Sequence, residues 1–364
     1  MSDYTVAVIG TGPDPENPSA EGYAMGYRHA EAYRNDERCD LVACADIVPE
    51  NAEAFAAEFD LPSDGIFEDY EEMLAEADPD IVSVCVPPAI HEPVVVACAR
   101  SGAPVAIHCE KPMGHTFAAA KRQAQEAWRA GVQLTYNRQR RFGKVFTEAK
   151  RLLDEGEIGD LERIEIGWGD FLDTGAHTVD LANMFNDERS AEWIIAGLDY
   201  RSEDIRFGAH QENQMFAQWQ YENGVSGLVS TGEGAGLVDA TMRVRGSDGE
   251  LVIDPDEGAM LELRAGGETE AIDVDGEDVH GTPADEGRFG SALQDRSVDE
   301  VVTCLEEDRE PVISARLGLN VAETLFGGYE SVRRRGRVEF PLDIEDNPLE
   351  AMVETGELTP QPRE

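Results

Sequence analysis

The sequence predicts an α/β N-terminal domain of Rossmann type, a doubly wound parallel sheet, followed by an α+β domain with a mostly antiparallel open sheet. Three observations predict it. Short apolar runs alternate with helical patterns as far as about residue 140. Beyond that point, runs of two-residue alternation follow one another, separated by turn pairs. The first apolar run also ends in a Gly-x-Gly turn, and the second ends in an acid, as a dinucleotide fold requires.

The elements follow in order. "TVAVIG" (5–10), "LVACAD" (41–46), "IVSVCV" (81–86), "PVAIHCE" (104–110) and "VQLTYN" (132–137) read as buried parallel strands. Runs this apolar need cover on both faces of a sheet, and segments such as "PENAEAFAAEF" and "TFAAAKRQAQEAWRAG" supply the helices. A helix, "KVFTEAKRLLDEG", then leads into "LERIEIGWGD", and a helical stretch follows from about 174 to 185. "QMFAQWQY", "VSGLVSTG", "ATMRVRGS", "ELVID" and "MLELRA" alternate as half-buried strands, with Asn223-Gly224 and Asp248-Gly249 as hairpin turns. Two further helices are expected around 289–307 and 315–335. The expected division is 1–139 for the nucleotide domain, 140–342 for the second domain, and 343–364 for an acidic tail lying loosely on the surface.

Charge narrows the class of protein. The chain carries 75 acidic and 30 basic side chains, a formal net charge of −45, and the acids are spread along its whole length. The apolar runs are too many for a disordered acidic chain, so the surplus reads as the coat of a folded protein in a salty, halophilic cytoplasm. Nucleic acid and anionic membrane are excluded as expected partners, because both need a basic face. No uninterrupted apolar stretch is long enough for a membrane span, and no secretory signal is expected at the N-terminus. The six cysteines, at 39, 44, 85, 98, 109 and 304, form no Cys-x-x-Cys pair. They read as small buried hydrophobes in a reducing compartment, and no metal is expected.

The glycine turn departs from the usual fingerprint. Gly10 and Gly12 are in place, but Pro13 follows, with an acidic, proline-bearing stretch behind it. The acid that binds the adenosine ribose stands about 20 residues beyond the turn. Asp46 stands 20 residues after Gly26 and 34 after Gly12, so Gly26 fits as the third glycine. Removing residues 13–23 leaves "GTGAMG", a complete fingerprint. The expectation is an eleven-residue insert that bulges outward as a flap, with Tyr23 and Met25 as its apolar parts; Gly22 is an alternative for the turn. A carboxylate at Asp46 repels a 2′-phosphate, and Ile47 offers no positive partner, which favours NAD while leaving NADP possible.

The stretch "SVCVPPAIHEPVVVACARSGAPVAIHCEKPMGHT" resembles the glucose–fructose oxidoreductase/inositol dehydrogenase (Gfo/Idh/MocA) family in its strand, Pro87, His91 and Glu110-Lys111-Pro112. The resemblance continues through "NRQRRF" (137–142), "DTGAHTVD" (173–180) and "LGLNVAETLFGGYESVRRRGRVEFP". It implies a nicotinamide-dependent enzyme acting on a secondary alcohol of a sugar, sugar acid or cyclitol, assembled as a homodimer or homotetramer through the C-terminal sheet. The residues agree with that chemistry. Lys111 is one of four lysines against 26 arginines, at the carboxyl end of a parallel strand, where α/β sheets bind ligands. A compact ammonium with a movable pKa suits a catalytic task, and the resemblance makes it the group that hydrogen-bonds the reacting hydroxyl. It also implies a cis bond before Pro112.

His177 is the candidate base, because alcohol oxidation needs an acceptor for the hydroxyl proton. Asp173, four residues earlier, either orients the site or caps the helix; Asp180 is either the orienting partner or solvent-facing. Pro87, His91 and Glu110 join Gly10, Gly12, Gly26 and Asp46 as expected cofactor-binding positions. His29 reads as structural. Asn137, Arg138 and Arg141 are candidates for substrate binding, although they and Arg140 could equally pair with nearby acids. Two other functions fit the same residues: an enzyme that recycles a bound NAD without net oxidation, and a regulator that binds cofactor and sugar without turnover.

Overall fold

The computed structural model describes residues 4–13, 25–281 and 291–362. Of the insert only Pro13 is therefore described; the flap, Tyr23 and the alternative turn at Gly22 lie outside the described residues.

The first unit is a six-stranded parallel sheet in the order β3-β2-β1-β4-β5-β6. Its strands are β1 (Tyr4–Ile9), β2 (Cys39–Ala45), β3 (Ile66–Phe67), β4 (Ile81–Val84), β5 (Ala106–Cys109) and β6 (Gln133–Tyr136). The connecting helices are α1 (Met25–Asn35), α2 (Pro49–Glu58), α3 (Tyr70–Ala77), α4 (His91–Ser101) and α5 (Phe117–Ala130). The apolar runs become strands because both faces are covered: Val6, Ala7 and Val8 are wholly buried, as are Ile81, Val82 and Ile107. Under α1, Tyr27 meets the Phe55 ring edge-on at 5.1 Å, and both join Val8, Cys44 and Phe59 in one core cluster. Helix ends carry their own signals. Thr116 caps α5 by accepting from Ala119 N, and Gly131 ends it in the left-handed region.

The second unit is a nine-stranded mixed sheet in the order β16-β15-β14-β13-β7-β12-β11-β8-β17. It begins with α6 (Lys144–Asp154), β7 (Leu161–Ile166) and α7 (Gly175–Phe185). Then come β8 (Ala191–Asp199), the short pair β9 (Ile205–Arg206) and β10 (Ala209–His210), β11 (Gln214–Tyr221) and β12 (Ser226–Ser230). β13 (Ala240–Gly246), β14 (Gly249–Pro255), β15 (Leu261–Ala265) and β16 (Glu268–Ala271) complete the run of strands. Later in the chain lie α8 (Ala292–Glu307), α9 (Ala315–Arg334), β17 (Val338–Glu339) and α10 (Pro348–Glu354). One face of the sheet is apolar and buried, with Ile164, Ile166, Met215, Trp219, Met242 and Val244. α7 and α9 pack on it: Tyr221 Oη donates to Asn183 Oδ1 at 2.8 Å, and Ala196 N donates to Ser331 Oγ at 2.9 Å. β12 pairs with β7 in parallel, the one parallel pairing in this sheet among the described residues.

Three features differ from the sequence expectation. The chain divides into Met1–Asn137 with Ala284–Leu319, and Arg138–Pro283 with Asn320–Glu364. α8 therefore belongs to the first unit and not to the second domain as expected. It buries an apolar face of Leu293, Val298, Val301 and Val302, and polar bonds add to this: Arg38 bridges to Asp299 at 2.6 Å and Glu306 at 3.0 Å, and Gln133 Nε2 donates to Val301 O. β8, absent from the expected strands, inserts between β11 and β17. The tail from Asp343 is docked and not loose, since Ile344, Leu349 and Met352 are buried and Gln361 N bonds Arg201 O at 2.7 Å.

Candidate functional site

In the first unit the glycine turn is shaped for close approach. Gly10 and Gly12 have φ of 83° and 69°, in the left-handed region that glycine tolerates. A Cβ at Gly26 would lie 2.9 Å from Gly10 O and 3.0 Å from Thr11 Cα, so α1 abuts the turn in a way that only glycine allows. This is the packing role of a third glycine, and α1 opens at Met25, so its N-terminal N–H groups begin beside the turn. Asp46, just after β2, accepts from Gly12 N at 2.9 Å, Thr11 Oγ1 at 3.0 Å and Val48 N at 2.9 Å. Its partners are neutral donors, and Ile47 beside it is 82% exposed. Thr11 escaped the sequence reading, although its place between the two glycines was a usable signal. These residues fit a bound dinucleotide: two glycines and a helix end for the pyrophosphate, and a carboxylate for ribose hydroxyls.

At the ends of β4 and β5, Pro87 is exposed and Lys111 is half-buried. The Lys111–Pro112 bond is cis. His91 lies wholly buried between two carbonyl oxygens, Nδ1 at 3.0 Å from Pro112 O and Nε2 at 2.8 Å from Val86 O. Burial lowers its pKa, although both carbonyls call for an N–H. The ring ties the turn after β4 to the turn that carries Lys111. Glu110 points inward. Its Oε1 meets His29 Nε2 at 2.9 Å and Asn137 Nδ2 at 2.7 Å, and its Oε2 accepts from Lys111 N at 3.3 Å. Asn137 also reaches Gln294 Oε1 at 2.8 Å and accepts from Ser297 Oγ at 3.1 Å, so α8 closes the network. His29 Nδ1 lies 2.6 Å from Ser83 Oγ.

Charge in this network is complementary. Burial opposes a charged His29, but Cys85 and the Glu110 carboxylate outweigh it and raise its pKa to about 10. Burial likewise pushes Glu110 up, and the bond and charge of His29, with Lys111, bring it down to about 2. The two form a buried ion pair directly behind Lys111.

In the second unit, Asp173 is half-buried in the turn before α7, and His177 is buried in the helix's first turn. The N-cap of α7 is Thr174, not Asp173, and it makes no side-chain cap bond. Asp170 closes the turn before it: its Oδ1 accepts from Asp173 N at 2.6 Å and Thr174 N at 3.0 Å. An acid three and four residues before those N–H groups was the available signal.

Asp180, on α7, is buried and not solvent-facing. It pairs with Arg138 Nη1 and takes a two-pronged contact from Arg141, Nε to Oδ2 at 2.8 Å and Nη2 to Oδ1 at 2.7 Å. Glu188 adds a further bond to Arg141 at 3.0 Å. Of the two roles open to these arginines, pairing with acids is the one the structure displays. Burial lowers the Arg138 pKa, whereas Asp180 and Glu188 outweigh burial and raise that of Arg141. Arg140 is placed differently. Its guanidinium lies 3.9 Å from the centroid of the Trp168 ring, and no carboxylate among the described residues is within ion-pairing distance. Burial lowers its pKa to about 10, against the attraction of Asp173, Asp170 and Asp278. No cluster of three metal-ligating side chains occurs among the described residues, and no helix among them is long and apolar enough to cross a membrane.

Comparison with known proteins joins the two units. Residues 5–138 match the family described as "Oxidoreductase family, NAD-binding Rossmann fold", and residues 159–340 match its C-terminal alpha/beta domain. Myo-inositol 2-dehydrogenase of Thermotoga maritima is 25% identical over 63% of this chain and 72% of its own. D-glucoside 3-dehydrogenase of Escherichia coli is 28% identical over 50% of this chain and 53% of its own. Among solved structures, aldose-aldose oxidoreductase of Caulobacter crescentus shares the fold at a TM-score of 0.74 and 18% identity, covering 92% of this chain and 99% of that one. An inositol dehydrogenase homolog from Azotobacter vinelandii, complexed with NAD+, gives 0.71 at 17% identity over 93% and 98%. With both domain profiles matched in order and the glycine turn built to take a dinucleotide, the chain belongs to the Gfo/Idh/MocA family of NAD-binding oxidoreductases.

Proposed function

We propose that the protein is a dehydrogenase that moves hydride between a secondary alcohol of a sugar, sugar acid or cyclitol and NAD, with NADP as a poorer alternative. The observation that carries this reading is the glycine turn locked against α1, with the Asp46 carboxylate at its side and no cation among that carboxylate's partners in the described residues. A 2′-phosphate would meet a like charge there. The substrate class follows from relatives that act on inositol and glucosides.

When bound, the nicotinamide supplies the hydride acceptor. The chain's own groups do the rest. Gly10, Gly12 and Gly26 admit the pyrophosphate, and Asp46 accepts from ribose hydroxyls. Lys111 donates to the oxygen of the reacting alcohol and holds it as charge develops. His177 accepts the hydroxyl proton, and Asp173 orients and charges its surroundings. His91, Glu110 and Asn137 position the Lys111 turn from within, and Asp180 with Arg138 and Arg141 holds the region of α7. Arg140, spread over Trp168, is the arginine we assign to substrate oxygens. The sheet face that exposes Ile195 and Phe216 is the proposed surface for a homodimer or homotetramer. The acid surplus is read as a halophilic coat.

The test is NADH absorbance with purified protein in molar KCl, across a panel of sugars, sugar acids and cyclitols. Accumulation of free NADH with at least one of them, and weaker turnover with NADP, is expected. Substrate-dependent chemistry without free NADH would replace this reading with cofactor recycling. Binding of NAD without any turnover across the panel would replace it with a regulator.

A further inference from the structure

Two buried carboxyl groups stand behind the turn that opens α7, and the proposed chemistry uses neither. Asp170 is 5% exposed and Glu212 is 4% exposed. Asp170 builds the turn. Besides the two N–H groups its Oδ1 accepts from, its Oδ2 accepts from Thr174 Oγ1 at 3.0 Å and Arg206 Nη1 at 3.3 Å, and its carbonyl accepts from Gly175 N at 3.0 Å. Glu212 anchors the same turn from the next residue. Its Oε1 accepts from Phe171 N at 2.7 Å and Thr231 Oγ1 at 2.9 Å, while its Oε2 accepts from Tyr329 Oη at 2.6 Å. One carboxyl therefore joins the turn before α7, the end of β12 and helix α9. The Phe171 side chain is held as well. The Tyr329 ring meets it edge-on at 5.8 Å, and a Cβ at Gly328 would lie 2.5 Å from it.

The geometry points to Asp170 and Glu212 as a positioning pair: Asp170 shapes the turn that carries Asp173 and leads into His177, and Glu212 fixes where that turn sits. The inference rests on the proposed roles of Asp173 and His177. Neither acid touches substrate in this scheme; each acts through the turn.

The pair also links the turn to pH. Burial, with repulsion from Asp170, pushes Glu212 up to about 7 against the bonds from Tyr329 and Thr231. Burial and Asp173 raise Asp170, against its bonds to Thr174 and the charge of Arg206. Arg140 is also drawn to Asp170, and Asp204 shares Arg206 with it at 3.3 Å. When Glu212 ionises, the Phe171 N–H and both hydroxyls gain a stronger acceptor, and the turn tightens. The proton on Glu212 is thus read at His177.

The test follows His177 directly, without a substrate. The full chain is labelled with 13C at histidine Cε1 and titrated in about 2 M KCl. His177 is assigned by the signal lost in His177→Gln. In the wild type, the His177 signal should report a step near pH 7 that Glu212→Gln abolishes. Glutamine keeps an acceptor for Phe171 N, so the turn should survive. If that variant does not fold, Thr231→Val removes one donor to the carboxylate and should move the step to higher pH. Superimposable His177 curves for the wild type and Glu212→Gln, or for the wild type and Thr231→Val, overturn the inference. Loss of the catalytic reading is seen separately, as His177→Ala with undiminished turnover.

Discussion

The polar knot behind Lys111 and the acid pair behind α7 solve the same problem with opposite charges. Each holds a functional turn from the inside. In the first unit, Glu110 faces His29, Asn137 and Lys111 N, so a buried negative charge meets a positive one. In the second, Glu212 meets hydroxyls and a backbone N–H, and another carboxyl, Asp170, repels it. The first arrangement resists changes in pH; the second invites one proton to come and go. The proposed reaction has use for both, since it asks Lys111 to keep its place and lets the turn before His177 respond to charge.

The most disruptive way to break the comparison is to remove the charge on one side of the paired knot. Glu110→Gln leaves His29 without its counter-ion, and a buried partner lost in this way costs about 3–5 kcal/mol. Urea unfolding at pH 6 and fixed KCl should show that loss. A change below about 1 kcal/mol would mean that the pair is not a charged one. Next comes the chemistry that the two networks serve. Lys111→Ala and His177→Ala should each lower turnover by about 100-fold or more while NAD affinity persists. Near-native turnover in both variants would remove them from the reaction.

Stability depends on pH over different ranges in the two units. Glu110 is depressed to about 2, so its contribution is present above its unfolded pKa of 4.5 and is lost as pH falls toward 2. His29 is raised to about 10, so its contribution is full below 6.5 and is lost as pH rises toward 10. Glu212 is raised to about 7. Between 4.5 and 7 the unfolded chain gives up that proton and the folded one keeps it, so folding loses at most about 1.4 kcal/mol per pH unit and nothing further above 7. Glu212→Gln should therefore gain on the wild type from pH 4.5 to 7 and then run parallel to it. A variant that stays parallel throughout would show Glu212 to be ionised at all these values. The smallest effect is expected outside both networks. Asp46→Ala should weaken NAD binding about tenfold and narrow the gap to NADP, measured by titrating each cofactor. An unchanged ratio would take Asp46 out of the ribose site.

Much of the fold was legible because its signals are local. Apolar runs of four to six residues mark the parallel strands, and β11 was bounded correctly from its alternation alone. The distance from Gly26 to Asp46 is a property of one strand–helix–strand unit, so counting picked out Gly26, which packs against Gly10 and Thr11. Lys111, Asp173 and His177 were read from motifs of a few residues. The polar partners were not legible in the same way. Asp180 reaches Arg138 across 42 positions, Tyr329 reaches Glu212 across 117, and Ser297 reaches Asn137 across 160. In sequence, Glu212 sits in the polar stretch "HQEN" and looks solvated.

The α/β and α+β architecture is written in local signals of the chain, and so are the motifs that single out the glycine turn and the residues proposed to react. Periodicity and short motifs act over one or two turns of chain, where backbone geometry alone sets which side chains share a face. Tertiary structure decided the rest: that α8 joins the first unit, that the C-terminal residues dock, and that Arg138 and Arg141 spend their charge on Asp180. It also decided that Asp170 closes the turn before α7. Apolar surface must be covered, and a buried charge or donor must be paired, by whatever the packed chain brings to it, and what arrives is settled by the topology of the sheets, not by the neighbours along the sequence.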